Sequence, residues 1–130
     1  MTIFSNITEL LLLVFLTITF LQSGIDKVLN WKGNLSWLTG HFAKSPFKGM
    51  VPVLLGIIMV LEMLSGILSG VGVFQFAIDG ESVFGFYGAI LSTITLLMLL
   101  LGQRVAMDYE GARTIVVYLI PTIFLVYIMQ

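Results

Sequence analysis

Apolar positions gather into four long runs, at about 7–26, 49–74, 83–103 and 114–129, separated by shorter polar stretches. Each run is close to the ~20 residues that cross a hydrocarbon layer of roughly 30 Å. Backbone amides and carbonyls in lipid must be satisfied within the segment, and uninterrupted apolar runs of this length do so only as helices. The pattern predicts an all-α fold: an integral membrane four-helix bundle forming one domain over residues 1–130. The first run has no basic leader and passes into Gln22-Ser23-Gly24-Ile25-Asp26-Lys27 without a small-residue cleavage pattern. It reads as a mature helix, not a signal peptide.

The stretch between the first two runs has a pattern of its own. Trp31, Leu35, Leu38 and Phe42 recur at helical spacing, with Asn34 as a candidate N-cap and Pro46 as a stop. Trp31, Trp37, Lys32 and Lys44 suit a headgroup region. A short amphipathic interfacial helix is expected between spans 1 and 2. Its simplest role is to cap the bundle, the other being a docking surface. His41, the only histidine, is expected to be a satisfied interfacial residue.

Composition narrows the chemistry. The 130 residues are 58% hydrophobic and 10% charged, with a mean hydropathy of +1.08, which leaves too little polar surface for a soluble domain. With no cysteine and one histidine, the chain cannot itself hold an Fe–S cluster, a bis-histidine haem or a protein-only zinc site. No intrinsic cofactor and no metal site are expected. A net charge of −1 provides no basic field for nucleic acid.

All six basic residues fall in two loops. Lys27, Lys32, Lys44 and Lys48 lie between spans 1 and 2, and Arg104 and Arg113 between spans 3 and 4. The positive-inside rule places both loops in the cytoplasm and both termini on the outer side. In the third loop, Arg104, Asp108, Glu110 and Arg113 are expected to join Asp26 and Lys27 in a salt network stapling the helix ends. The outer turn with Asp79 and Glu81 reads as a solvated hairpin.

Glu62 is the exception within the apolar runs. On a helical wheel Ser65, Gly66 and Ser69 lie within about 60° of it, with Ile57, Leu61, Leu64, Leu68 and Val71 opposite. Gly66 and Gly70 form a G-x-x-x-G spacing that admits a close helix neighbour. Matching small or polar faces are Gly85, Gly88, Ala89, Ser92 and Thr95 in the third span, and Tyr118, Pro121, Thr122 and Leu125 in the fourth. Thr19, Gln22, Ser23 and Asp26 form such a face in the first. Counting from span ends puts Glu62 near the midplane beside Thr17, Thr93 and Thr122. Lys27 and Arg104 then lie a half-span away, roughly 15 Å. With no cation at its depth, Glu62 is expected to be a protonated acid bonded to hydroxyls, with Ser65, Ser92, Thr93 and Tyr118 as candidate partners. Three roles stay open: a structural hub, a site for a quinone-like headgroup or a proton, and part of a solute path.

Several short motifs resemble those of the DoxX family of small bacterial membrane proteins. They are "FLQSGIDKVLNW", which holds Gly24-x-x-Lys27 at the end of the first span, and "LLGIIMVLEMLSGILSGVGVF", which holds Glu62-x-x-x-Gly66. Gly24, Lys27, Glu62 and Gly66 match the family pattern. The resemblance implies a four-helix protein of the bacterial inner membrane associated with larger redox subunits. Relatives include a subunit of thiosulfate:quinone oxidoreductase and partners of superoxide dismutase and sulfurtransferase enzymes. The expected function is an accessory or assembly subunit of a membrane oxidoreductase, contributing one wall of a quinone site and not catalytic alone. A small proton-linked carrier and a structural membrane protein are the alternatives.

Overall fold

A computed structural model describes residues 6–130. Five helices follow one another: α1 (Ile7–Leu29), α2 (Trp31–His41), α3 (Val51–Asp79), α4 (Val83–Val105) and α5 (Tyr109–Met129). All except α2 are long and apolar enough to cross a membrane. The molecule is an all-α, multi-pass membrane bundle.

The helix ends have local causes. Glu9 in the first turn of α1 and Lys27 in its last complement the helix dipole. Pro52 in the first turn of α3 sits where no backbone donor is needed, and Gly80 ends the helix in the left-handed conformation at φ 75°. The Ser82 hydroxyl accepts from Gly85 N at 2.7 Å to start α4, and Asp108 accepts from Gly111 N at 2.9 Å to start α5. All four spans outrun their apolar stretches, α4 by only two residues, to Val105. α1 reaches Leu29 instead of 26, α3 reaches Asp79 instead of 74, and α5 begins at Tyr109 instead of 114, with its charged first turn carried by the cap.

α2 begins at Trp31, directly after the break at Asn30, so Asn34 is an interior residue and not the N-cap. Its amide donates to Asn30 O at 2.9 Å and to Asp26 Oδ2 at 3.2 Å. The expected face is correct: Trp31, Leu35, Leu38 and Phe42 are half-buried, while Trp37 is exposed.

α3 packs between α1 and α4, α4 also packs on α5, and α1 closes the ring with lighter contacts to α4 and α5. Leu13, Leu16, Phe20, Phe76, Ala89, Leu96 and Leu125 form the core. Leu11, Ile18, Val60, Ile67, Phe74, Leu97, Ile120 and Phe124 point outward, as side chains facing lipid do.

The small residues of α3 serve two neighbours. Gly66 and Gly70 face α1: a Cβ on Gly66 would stand 2.9 Å from Leu21 N, and one on Gly70 would stand 3.4 Å from Thr17 Cγ2. Ser65, Ser69 and Gly72 face α4, where Gly72 meets Gly85 backbone to backbone and Gly88 lies under Ser69. On α1 the buried residues are Leu13, Leu16, Phe20 and Gly24. The expected Thr19–Gln22–Asp26 face is not the packing face, since Gln22 and Asp26 are exposed and only Ser23 turns inward.

Asn6 Nδ2 donates to Gly80 O at 2.7 Å, so the start of α1 and the α3–α4 turn share one end of the bundle. His41 reaches Gln103, which places the loops rich in basic residues together at the other end. The expected position of the amino terminus concerns residues 1–5, which lie outside the described residues.

Candidate functional site

Glu62 is buried at 3% exposure and has a cationic partner. Lys27 Nζ lies 2.8 Å from Glu62 Oε1 and donates to Ser23 Oγ at 2.9 Å, and Ser23 Oγ donates to Glu62 Oε2 at 2.9 Å. The three side chains form a closed triangle between α1 and α3. The Lys27–Oε1 contact is an ion pair, and the hydrogen bonds of the triangle run through Ser23.

The expectation that no cation lies at the depth of Glu62 is overturned: Lys27 stands beside it. Counting from span ends assumes that neighbouring spans end level. α3, however, has 29 residues and is roughly 43 Å long, so its amino-terminal end overhangs the end of α1. Gly24 packs on Met63, Leu21 on Gly66 and Thr17 on Gly70, a register that places Glu62 about one turn inside the α1 end. A helical side chain leans toward its own amino terminus, so the Lys27 ammonium folds back over Ser23 toward the carboxylate.

None of the four proposed hydroxyl partners bonds to Glu62. Ser65 Oγ is 3.5 Å from Thr95 Oγ1, and Thr93 Oγ1 donates to Ala89 O at 2.8 Å. Ser92 Oγ is buried without a partner among the described residues. Tyr118 is exposed, with its ring stacked on Phe15 at 6.1 Å. Gly24, Lys27, Glu62 and Gly66, by contrast, all lie along the α1–α3 seam.

Beside the triangle, and lined in part by Lys27, is a cavity of about 320 Å³. Trp37, Leu38, Phe42 and Phe47 line it from α2 and the loop that follows, Leu55 and Ile58 from α3, and Met98 and Leu101 from α4. Its polar lining consists of Lys27, Asn34, His41 and Gln103, while Glu62 stands behind Lys27 and is not part of the wall. An apolar chamber with a few convergent polar groups is the usual form of a small-molecule site. Sequence reasoning missed Asn34 and Gln103 as lining residues. The i, i+4 spacing of Ser23 and Lys27 was a legible signal for the triangle.

His41 joins the α2 side of this chamber to the α4–α5 turn. Its Nε2 is 2.8 Å from Gln103 Oε1 and 3.7 Å from Asp108 Oδ2, and its ring stacks on Trp37 at 4.5 Å. It is thus a satisfied interfacial residue. The expected salt network of Arg104, Asp108, Glu110 and Arg113 with Asp26 and Lys27 is not formed: among the described residues neither Arg104 nor Arg113 is ion-paired. Arg104 instead lies over the Tyr109 ring at 4.7 Å, and Asp108 is committed to capping α5.

Compared with protein-family models, curated proteins and solved structures, the chain matches none.

Proposed function

We propose that this chain is an accessory subunit of a bacterial inner-membrane oxidoreductase, of the DoxX-like kind its motifs resemble, and that it supplies a wall of a quinone site. In this reading the loop end that carries Lys44 and Arg104 faces the cytoplasm and both termini face outward. The observation that carries it is the apolar, aromatic-lined cavity of about 320 Å³ with Lys27 in its lining. Flat rings are held by such walls, and a carbonyl oxygen takes a hydrogen bond from such a donor. The chain has no cysteine and a single histidine, so the electrons belong to larger partner subunits.

The test is purification of a carboxy-terminally tagged chain from native membranes in mild detergent, followed by quinone extraction and identification of companions by mass spectrometry. The expected result is bound quinone together with a larger redox subunit. A solitary chain without quinone would contradict the proposal, and protein-dependent solute flux in liposomes would favour a carrier.

A further inference from the structure

We infer that the cavity selects neutral ligands bearing a carbonyl oxygen, that Lys27 is the group they dock on, and that Glu62 is the positioning residue that makes the site reject anions. The inference rests on reading the cavity as a ligand site, and adds which atom reads the ligand and how its charge is discriminated.

An ammonium has three N–H donors. On Lys27 one goes to Ser23 Oγ, and the ion pair with Glu62 Oε1 occupies at most one more. Donor capacity is therefore left over on a side chain that lines the cavity and is 16% exposed. The same triangle removes net positive charge from the wall, because a buried carboxylate sits 2.8 Å from the ammonium. A carbonyl oxygen needs only the spare donor. A carboxylate must be desolvated in an apolar chamber and meets, behind the ammonium, a negative charge already balancing it. The other polar lining groups, Asn34, His41 and Gln103, lie on the α2 and α4 sides, and His41 and Gln103 are bonded to each other.

The experiment uses three probes on one ring body: menadione with two carbonyls, 2-naphthoate with a carboxylate, and 2-methylnaphthalene with neither. Binding is measured by calorimetry on the full chain in lipid nanodiscs, with empty discs subtracted; the absence of cysteine removes thiol addition to menadione as a complication. Wild type should bind menadione about tenfold more tightly than 2-methylnaphthalene, as one hydrogen bond allows, and should bind 2-naphthoate weakest. Lys27→Met should abolish the menadione advantage while 2-methylnaphthalene binds as before. In Glu62→Gln the order of the two polar probes should reverse, with 2-naphthoate gaining at least about tenfold, since the ammonium then lacks its counter-charge. A purely structural Glu62 would weaken all three probes together, and that result would overturn its role. Menadione binding unchanged in Lys27→Met overturns the docking role but leaves the ligand site standing. No saturable binding of any probe to wild type overturns both. Thermal unfolding of each variant, with bound 2-methylnaphthalene as a check on the cavity, separates loss of fold from loss of recognition.

Discussion

Replacing Lys27 by methionine keeps most of the stem and removes the ammonium, leaving the Glu62 side chain at 4% exposure with Ser23 as its only partner. Breaking a buried pair from one side costs about 3–5 kcal/mol. The retained Ser23 bond and the partial exposure of Lys27 bring this case below that range, to about 2–3 kcal/mol. Glu62→Met strands a less deeply buried ammonium that can reach toward the loop end, a loss of about 1–2 kcal/mol. The double variant removes both charges and fills the space with apolar atoms, so it should lie within about 1 kcal/mol of wild type. Independent effects would instead sum to about 3–5 kcal/mol in the double variant. The assay is reversible unfolding of all four proteins in one lipid–detergent mixture, closed as a double-mutant cycle. A coupling below about 0.5 kcal/mol would refute the pair as an energetic unit.

Gly72→Ala should destabilise the bundle by about 1–3 kcal/mol, because its Cβ meets Gly85 backbone and neither helix can yield cheaply. Gly70→Ala, two residues earlier on the same helix, meets only Thr17 at ordinary contact and should be neutral or stabilising by up to about 1 kcal/mol; unfolding midpoints of the two compare them directly. Single cysteines at Ser45 and Glu81 should react with an impermeant maleimide from opposite sides, Glu81 from outside in intact cells, and outside labelling at Ser45 would reverse the topology. Leu38→Glu places a charge among the apolar residues lining the cavity, so proteolysis after Lys44 should quicken while the four spans stay inserted; an unchanged cleavage rate would show that this face does not hold α2.

The four spans were legible because lipid demands both long apolar runs and internally bonded backbone, and these appear directly in composition. The inward stripe of α3 and the small face of α4 were legible for a related reason: close helix approach excludes large side chains, so Gly66, Ser69, Gly85 and Gly88 mark it. Helix ends were less so. Hydropathy does not register a charged first turn held by a cap, which is why α5 starts at Tyr109 behind Asp108 and not at 114. The partner of Glu62 was misjudged because depth depends on the register between neighbouring helices, a tertiary property. Once α3 overhangs α1, a lysine at a helix end and a glutamate inside a span stand together. The cavity was not legible either, since its wall is assembled from α1, α2, α3 and α4, whose relative placement is again a tertiary property.

The central claim, that Glu62 is paired with Lys27 beside the cavity, is tested most directly by solid-state NMR in bilayers. The chain would carry 15N at lysine side chains and 13C at glutamate carboxyls, with Lys27→Met and Glu62→Gln variants to assign the signals. The account predicts strong dipolar coupling between the Lys27 nitrogen and the Glu62 carboxyl carbon, as a 2.8 Å contact between Nζ and Oε1 requires. A Glu62 carboxyl signal with no coupling to any lysine nitrogen would contradict it.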